Sequence, residues 1–429
     1  MMNYLKIKGG LIMSASRAMY QKLAKLAVVR GVNVQPNQPL VITASVRDYE
    51  FVRMVAKEAY AVGAREVIMS WTDTELAKLN YTYQSEETLT DIPDWKYDMV
   101  KREHDLGACY LRIHSDMPGA LKDVDQSKVR AYQMAYSKKM KDLRKYTMNN
   151  EGQWCVIGIP SVEWAKVVFP ELSEEEAFEK LEDAIFMTSR ITEDSDPLEN
   201  WCIHDANLVE HARKLTELNF KQLHFTSELG TDLTVELVDN HVWIGGGDKT
   251  PKGVYFDPNI PTEECFTMPK KTGVNGIVYA SKPLSYSGKV IDGFWFRFEN
   301  GKVVDFGAKQ EEETLKSLLD FDEGSRYLGE VALVPYDSPI SNSNILFFNT
   351  LFDENAACHL ALGMPYPENV KGGANMSDEE LKAAGANESS QHEDFMFGTK
   401  EMNIDGIQQD GTVCLLYTSP SPRDRTRSR

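Results

Sequence analysis

The stretch SSQHEDFMFG, residues 389–398, sets a histidine and two carboxylates against a short apolar run. On an extended backbone, residues two apart project from the same side. His392 and Asp394 therefore share one face and Glu393 takes the other. An imidazole and a carboxylate on one face can grip a cation, or can form a buried hydrogen-bonded pair. Other polar residues enter apolar settings in the same half of the chain. PNIPTEECFTMP places Glu263 and Glu264 in a proline-bracketed turn. Glu330 stands directly before the apolar run VALV, His359 opens HLALG, and Tyr366 follows seven residues after that histidine.

Each has a structural alternative. The paired glutamates fit an exposed turn, Glu330 fits a strand-end cap, His359 a satisfied core histidine and Tyr366 a packing residue. Taken together, two glutamates, two histidines and an aspartate are the donors that hard or borderline divalent cations take. Five such ligands exceed what one tetrahedral zinc needs, and they suffice for two ions sharing a bridging carboxylate. The residues alone do not choose between Glu263 and Glu264.

The elements that must position them follow from periodicity. In QPLVITASVRDYEFVRMVAKEAYAVGAREVIMSW, an apolar run is followed by Phe51, Val55, Ala59 and Val62 at helical spacing, then by Gly63 and a second apolar run. This predicts a strand–helix–strand unit, and hence a parallel sheet flanked by helices. No G-x-G-x-x-G joins the first strand to the helix, so a dinucleotide has no phosphate cradle there. LGACYLRIHSDMP and WCVIGIPSVEWAKVVFP add strands, and Ser173 and Glu176 open a further helix at capping-box spacing. The basic helix SKVRAYQMAYSKKMKDLRKY reads as a solvated face.

Near residue 195 the pattern changes. DPLENWCIHDANLVEHARKLTELNF predicts one long helix, and alternating strands follow with turns at Gly288 and Asn300-Gly301, the latter a hairpin signal. The expected architecture is an α/β domain with a mostly parallel sheet over 17–195. An α+β domain rich in antiparallel strands, carrying the site, is expected over 196–412. Residues 1–16 are expected to be a disordered leader. The Ser/Pro/Arg-rich segment 413–429 is set outside the fold as foreign to an acidic chain of this kind.

Composition narrows the partners. With 429 residues, 42% hydrophobic and 26% charged, the chain is long enough for about two to three cored domains. A formal net charge of −18 argues against nucleic acid, whose phosphates require a basic footprint. Six cysteines without a C-x-x-C pair argue against a disulfide framework or thiolate zinc site, and no apolar run approaches the roughly 18 residues of a membrane span. A cytoplasmic protein is expected.

Over roughly residues 19–411 the chain resembles the metallo-aminopeptidases of the aminopeptidase T, aminopeptidase S and aminopeptidase II group. The resemblance rests on PNIPTEE, KPLSY, RYLGEVALVPYDSPISNSNI, NTLFDENA, CHLALG, the His392-Glu393-Asp394-Phe395-Met396 run, GTDLTVEL and WCVIGIPS. It implies metal ligands at Glu264, Glu330, His359, His392 and Asp394, with Tyr366 a further active-site residue. Glu330 and Tyr366 are expected to be catalytic, with Glu263 the alternative to Glu330 for carrying a proton to the leaving amine. The resemblance implies two divalent ions (zinc, cobalt, magnesium or manganese), a metal-activated water, and a homodimer whose site opens to an internal cavity. The implied substrates are peptides with a free N-terminus. Two other readings compete: a different dinuclear metal hydrolase, such as an amidase or phosphoesterase, and an α/β binding or assembly protein whose His/carboxylate pairs are structural.

Overall fold

The structure, a computed structural model, describes residues 14–417. Two compact units divide it: residues up to His204 with Gly247–Thr262, and Asp205–Gly246 with the chain from Glu263 onward. The division expected at 195 falls instead inside the long helix Pro197–Leu218. The change of sequence pattern at 195 marks where that helix begins rather than where contacts thin out. Residues 247–262 return to the first unit because Asn259–Ile260 adds a strand to its sheet.

In the first unit, helix α1 (Ser14–Leu26) precedes β1 (Pro39–Ser45), α2 (Tyr49–Ala61) and β2 (Glu66–Thr72), and β3 (Cys109–His114) and β4 (Trp154–Gly158) follow. All pair in parallel, in the order Asn259–Ile260, β4, β3, β1, β2. β1 reads PLVITAS and is buried along nearly its whole length, as a strand covered on both faces requires. Phe51, Val52, Val55 and Ala59 of α2 lie in the same core as Ile42, Leu111 and Ile157. Gly63, at φ +94°, ends the helix in a conformation that side chains resist. α1 begins at Ser14 and so takes in the last three residues of the expected leader; the rest of the leader lies outside the described residues.

The second unit contains β5 (Gln222–Thr226), β6 (Asp232–Leu237), β7 (Ile244–Gly245), β8 (Cys265–Thr267), β9 (Pro269–Tyr279) and β10 (Trp295–Glu299). After them come β11 (Lys302–Gly307), β12 (Leu328–Leu333), β13 (His359–Gly363), β14 (His392–Met396), β15 (Asn403–Ile407) and β16 (Val413–Tyr417). They form two antiparallel sheets, β11-β10-β9-β6-β5-β15-β16 and β14-β13-β12-β8-β7. The sheets pack on each other: Phe296 of β10 meets Phe395 of β14 edge-on at 5.1 Å. The β10–β11 hairpin turns on Asn300 (φ +50°) and Gly301 (φ +83°), the left-handed pair that matches strand twist. Composition set residues from 413 outside the fold, yet β16 pairs with β15 at the edge of the larger sheet. Backbone pairing asks little of side chains beyond extended conformation, and VCLLY supplies it. The arginine-rich remainder lies outside the described residues.

Candidate metal centre

Register explains how residues 130 positions apart in sequence meet. Across β12, β13 and β14, Glu330 lies opposite Ala361 and Ala361 opposite Asp394, while Ala332 opposes His359 and Gly363 opposes His392. Opposed residues share a face, and so do residues two apart. Glu330, His359, His392 and Asp394 therefore project from one side of the sheet. Phe266 of β8 opposes Ala332, so Glu264, two residues earlier, joins the same side. Among these residues on β12 and β13 the face carries Ala332, Ala361 and Gly363, whose small side chains leave room for the longer ones to converge. The other face sends Val331, Leu360, Leu362 and Phe395 into the core.

One irregularity is essential. Leu328 pairs with Leu362 and Glu330 with Ala361, which makes Gly329 the extra residue of a β-bulge. Without the bulge, Glu330 would share the side of Leu328 and enter the core. A Cβ on Gly329 would lie 2.5 Å from the Met364 carbonyl oxygen and 2.6 Å from that of Gly363, so glycine alone fits.

His359 Nε2 lies 2.9 Å from Glu264 Oε2 and 3.5 Å from Glu330 Oε1. His392 Nε2 lies 3.7 Å from Glu330 Oε2 and 3.6 Å from Asp394 Oδ1. Glu330 thus turns one oxygen toward each histidine. Both rings are held from behind, His359 Nδ1 at 3.2 Å from the Ala357 carbonyl and His392 Nδ1 at 2.6 Å from that of Met364. A proton on Nδ1 donates to those carbonyls and leaves Nε2 free for a cation. The ligand atoms of Glu264, Glu330 and His359 all lie within 4.8 Å of one another. Asp394 Oδ1 is buried without a hydrogen-bond partner, a costly state for a carboxylate oxygen unless a cation sits against it. The donor set suits hard or borderline divalent ions.

The electrostatics carry the same signature. Burial pushes Glu330 up to about 7, with the Asp394 charge adding to the effect. Burial pulls both histidines down, but their carboxylate neighbours outweigh it. Glu264 and Glu330 raise His359 well above the usual imidazole range, and Asp394 first, then Glu330, raise His392 to about 10. Without a cation, protons offset the crowded negative charge.

Of the residues the sequence pointed to, Glu264, Glu330, His359, His392 and Asp394 come together. Tyr366 stacks its ring edge-on against His392 at 5.1 Å. Burial, and then the charges of Glu330 and Asp394, hold its phenol well above its ordinary range. Glu263 is buried, and its backbone N–H donates to Asn355 Oδ1 at 2.7 Å, fixing the segment that presents Glu264. Glu393 lies opposite Leu362 on the other face, where burial raises it to about 8. Sequence reasoning missed Glu354. It stands in a short turn five residues before His359, and burial, then the charges of Asp394 and Glu264, raise it well above the carboxylate range. Nothing local in DENAACH distinguishes it from a surface carboxylate.

Side chains able to hold cations, converging on one sheet face beside Tyr366 and the half-buried Glu354, are the equipment of a metal-dependent hydrolase. The comparisons agree. The family described as thermophilic metalloprotease (M29) matches residues 17–419. Aminopeptidase AmpS of Bacillus subtilis (strain 168) is 48% identical over 388 residues, covering 90% of this chain and 94% of that one. Aminopeptidase 2 of Geobacillus stearothermophilus is 46% identical over 390 residues, covering 91% and 94%. The solved structure of wild-type AmpT from Thermus thermophilus superposes with a TM-score of 0.88 at 39% identity, covering 94% of this chain and 98% of that one. The chain belongs to the thermophilic metalloprotease family (M29).

Proposed function

We propose that the chain is a metal-dependent aminopeptidase that removes N-terminal residues from peptides. The observation that carries the reading is the convergence of Glu264, Glu330, His359, His392 and Asp394 on one face, with the two oxygens of Glu330 directed to different histidines. Glu264 and His359 would hold one divalent ion, His392 and Asp394 a second, and Glu330 both. Bound divalent cations supply Lewis acidity and lower the pKa of water, so no serine or cysteine nucleophile is needed.

The chain's own groups do the rest. The free α-amine of a terminal residue is a further donor for the ions these residues would hold, which favours terminal residues. Tyr366 donates a hydrogen bond to the oxyanion that forms at the scissile carbonyl. Glu354, whose carboxyl is raised well above its ordinary range by burial and then by the Asp394 and Glu264 charges, would carry a proton to the leaving amine. Glu330, engaged by both histidines, is less free for that task. The identity of the ions, among zinc, cobalt, magnesium and manganese, is read by elemental analysis of the purified protein.

The family resemblance also supports a homodimer, which sedimentation would reveal as twice the chain mass. Six cysteines, all unpaired, support a reducing, cytoplasmic setting. Among the described residues no helix is long and apolar enough to cross a membrane.

The discriminating experiment compares an aminoacyl amide with its N-acetylated twin, before and after dialysis against a strong chelator. Hydrolysis of the free amine alone, lost on chelation and restored by a divalent cation, is expected. Equal turnover of the acetylated twin would point to a general amidase. Unchanged activity after full metal removal would leave the His/carboxylate pairs structural.

A further inference from the structure

We infer that Phe266 selects the residue to be removed, favouring N-terminal residues with bulky apolar side chains; the inference rests on the aminopeptidase reading above. The metal-ligand face of the sheet is not polar throughout. Phe266 projects from it at β8, opposite Ala332, which in turn lies opposite His359, so one small residue separates the ring from that imidazole along the row. On its other side Phe266 lies opposite Ile244 of β7, which shares the face. The ring meets Tyr366 edge-on at 5.7 Å, and Tyr366 meets His392 in the same way at 5.1 Å. An aromatic row thus runs from the ligand group to Phe266.

The degree of burial distinguishes this end of the face. Met396, at the far end of the same row, is buried, whereas Phe266 and Ile244 both stay partly open. Asn369 Nδ2 donates to the Phe266 carbonyl at 3.2 Å and fixes the strand that presents the ring. A partly open apolar pair beside a fixed aromatic row, separated by one small residue from His359, is a surface that gains by covering an apolar side chain. The class of substrate is therefore peptides beginning with leucine-like or aromatic residues.

The test measures kcat and KM for alanine, leucine and phenylalanine amides with the metal-loaded wild type, Phe266→Ala and Phe266→Leu. The wild type is expected to prefer leucine to alanine amide. In Phe266→Ala that ratio of kcat/KM should fall by about tenfold, the scale on which apolar pockets discriminate, chiefly through KM. Phe266→Leu, which keeps an apolar body, should restore much of it. Should Phe266 merely prop Tyr366, kcat would drop alike for all three amides with the ratio unmoved, and the inference would be overturned. An unmoved ratio at full activity overturns it equally. Failure of the wild type to hydrolyse any amide with added cation instead defeats the aminopeptidase reading, so the two failures are distinguishable.

Discussion

In the proposed reaction Glu354 and Tyr366 carry different protons, and their removal should separate from loss of the ions. Neither belongs to the five proposed ligands, so Glu354→Gln and Tyr366→Phe should each retain bound metal on elemental analysis. Turnover should nevertheless fall, by about 10²–10⁴-fold for the proton carrier and about 10²–10³-fold for the oxyanion donor. Wild-type kcat in either variant at full metal content would remove that residue from the mechanism. Asn355 works one step further back. Its side chain is wholly buried, accepts from the Glu263 N–H at 2.7 Å and donates to the Leu351 carbonyl at 3.1 Å, so the loop presenting Glu264 is anchored by a residue that never faces substrate. Asp353 does the same for the preceding loop, accepting from the N–H groups of Phe347 and Asn349.

At the scale of elements, the centre depends on β12, β13 and β14 keeping one register, and on the Gly329 bulge within it. Gly329→Ala would drive a Cβ into the Met364 and Gly363 carbonyls. The Met364 carbonyl also orients His392, so one methyl group displaces two predicted ligands. The expected outcome is a melting loss equivalent to about 1–3 kcal/mol and a drop in metal affinity of tenfold or more. Calorimetric titration with the divalent ion would expose a wrong assignment as an unaltered affinity. Parts of this element logic are legible in sequence: the strand–helix–strand unit over residues 39–72, the Asn300-Gly301 hairpin, and the His392/Asp394 parity all follow from period and turn chemistry. The bulge is not, because a glycine two residues after Tyr327 looks the same whether or not it is paired. Nor is Glu354, whose role comes from what surrounds it in space.

The whole molecule has two units with separate cores, so its unfolding need not be two-state. The proposed ligand group lies in the second unit, and a bound cation stabilises whatever folds around it. Its melting transition should rise with added divalent ion and fall on chelation, while that of the first unit stays put. The pH dependence has a definite sign. The surrounding carboxylates raise His392 to about 10 and His359 well above its usual range, which favours protons on both rings that a cation must displace. The metal-induced rise should therefore be smaller at pH 6 than at pH 8. Calorimetry in buffers of different ionisation heat should register proton release on binding. A metal-induced shift that is the same at both pH values, with no proton released, would contradict the assignment of these histidines.

The sequence by itself determined which chemistry was available. Donor types, their placement among apolar residues, an acidic surface and long stretches shared with a known family all lie in the order of residues. Tertiary structure alone decided which donors meet, that Glu330 faces the ligand group rather than the core, that Glu354 joins them, that residues 259–260 complete a sheet begun more than 200 residues earlier, and that β16 extends the larger sheet. The physical reason is that residue type and local period are properties of neighbours along the chain. Register between strands, and the field at a buried carboxylate, are set by groups brought together only when the sheets close.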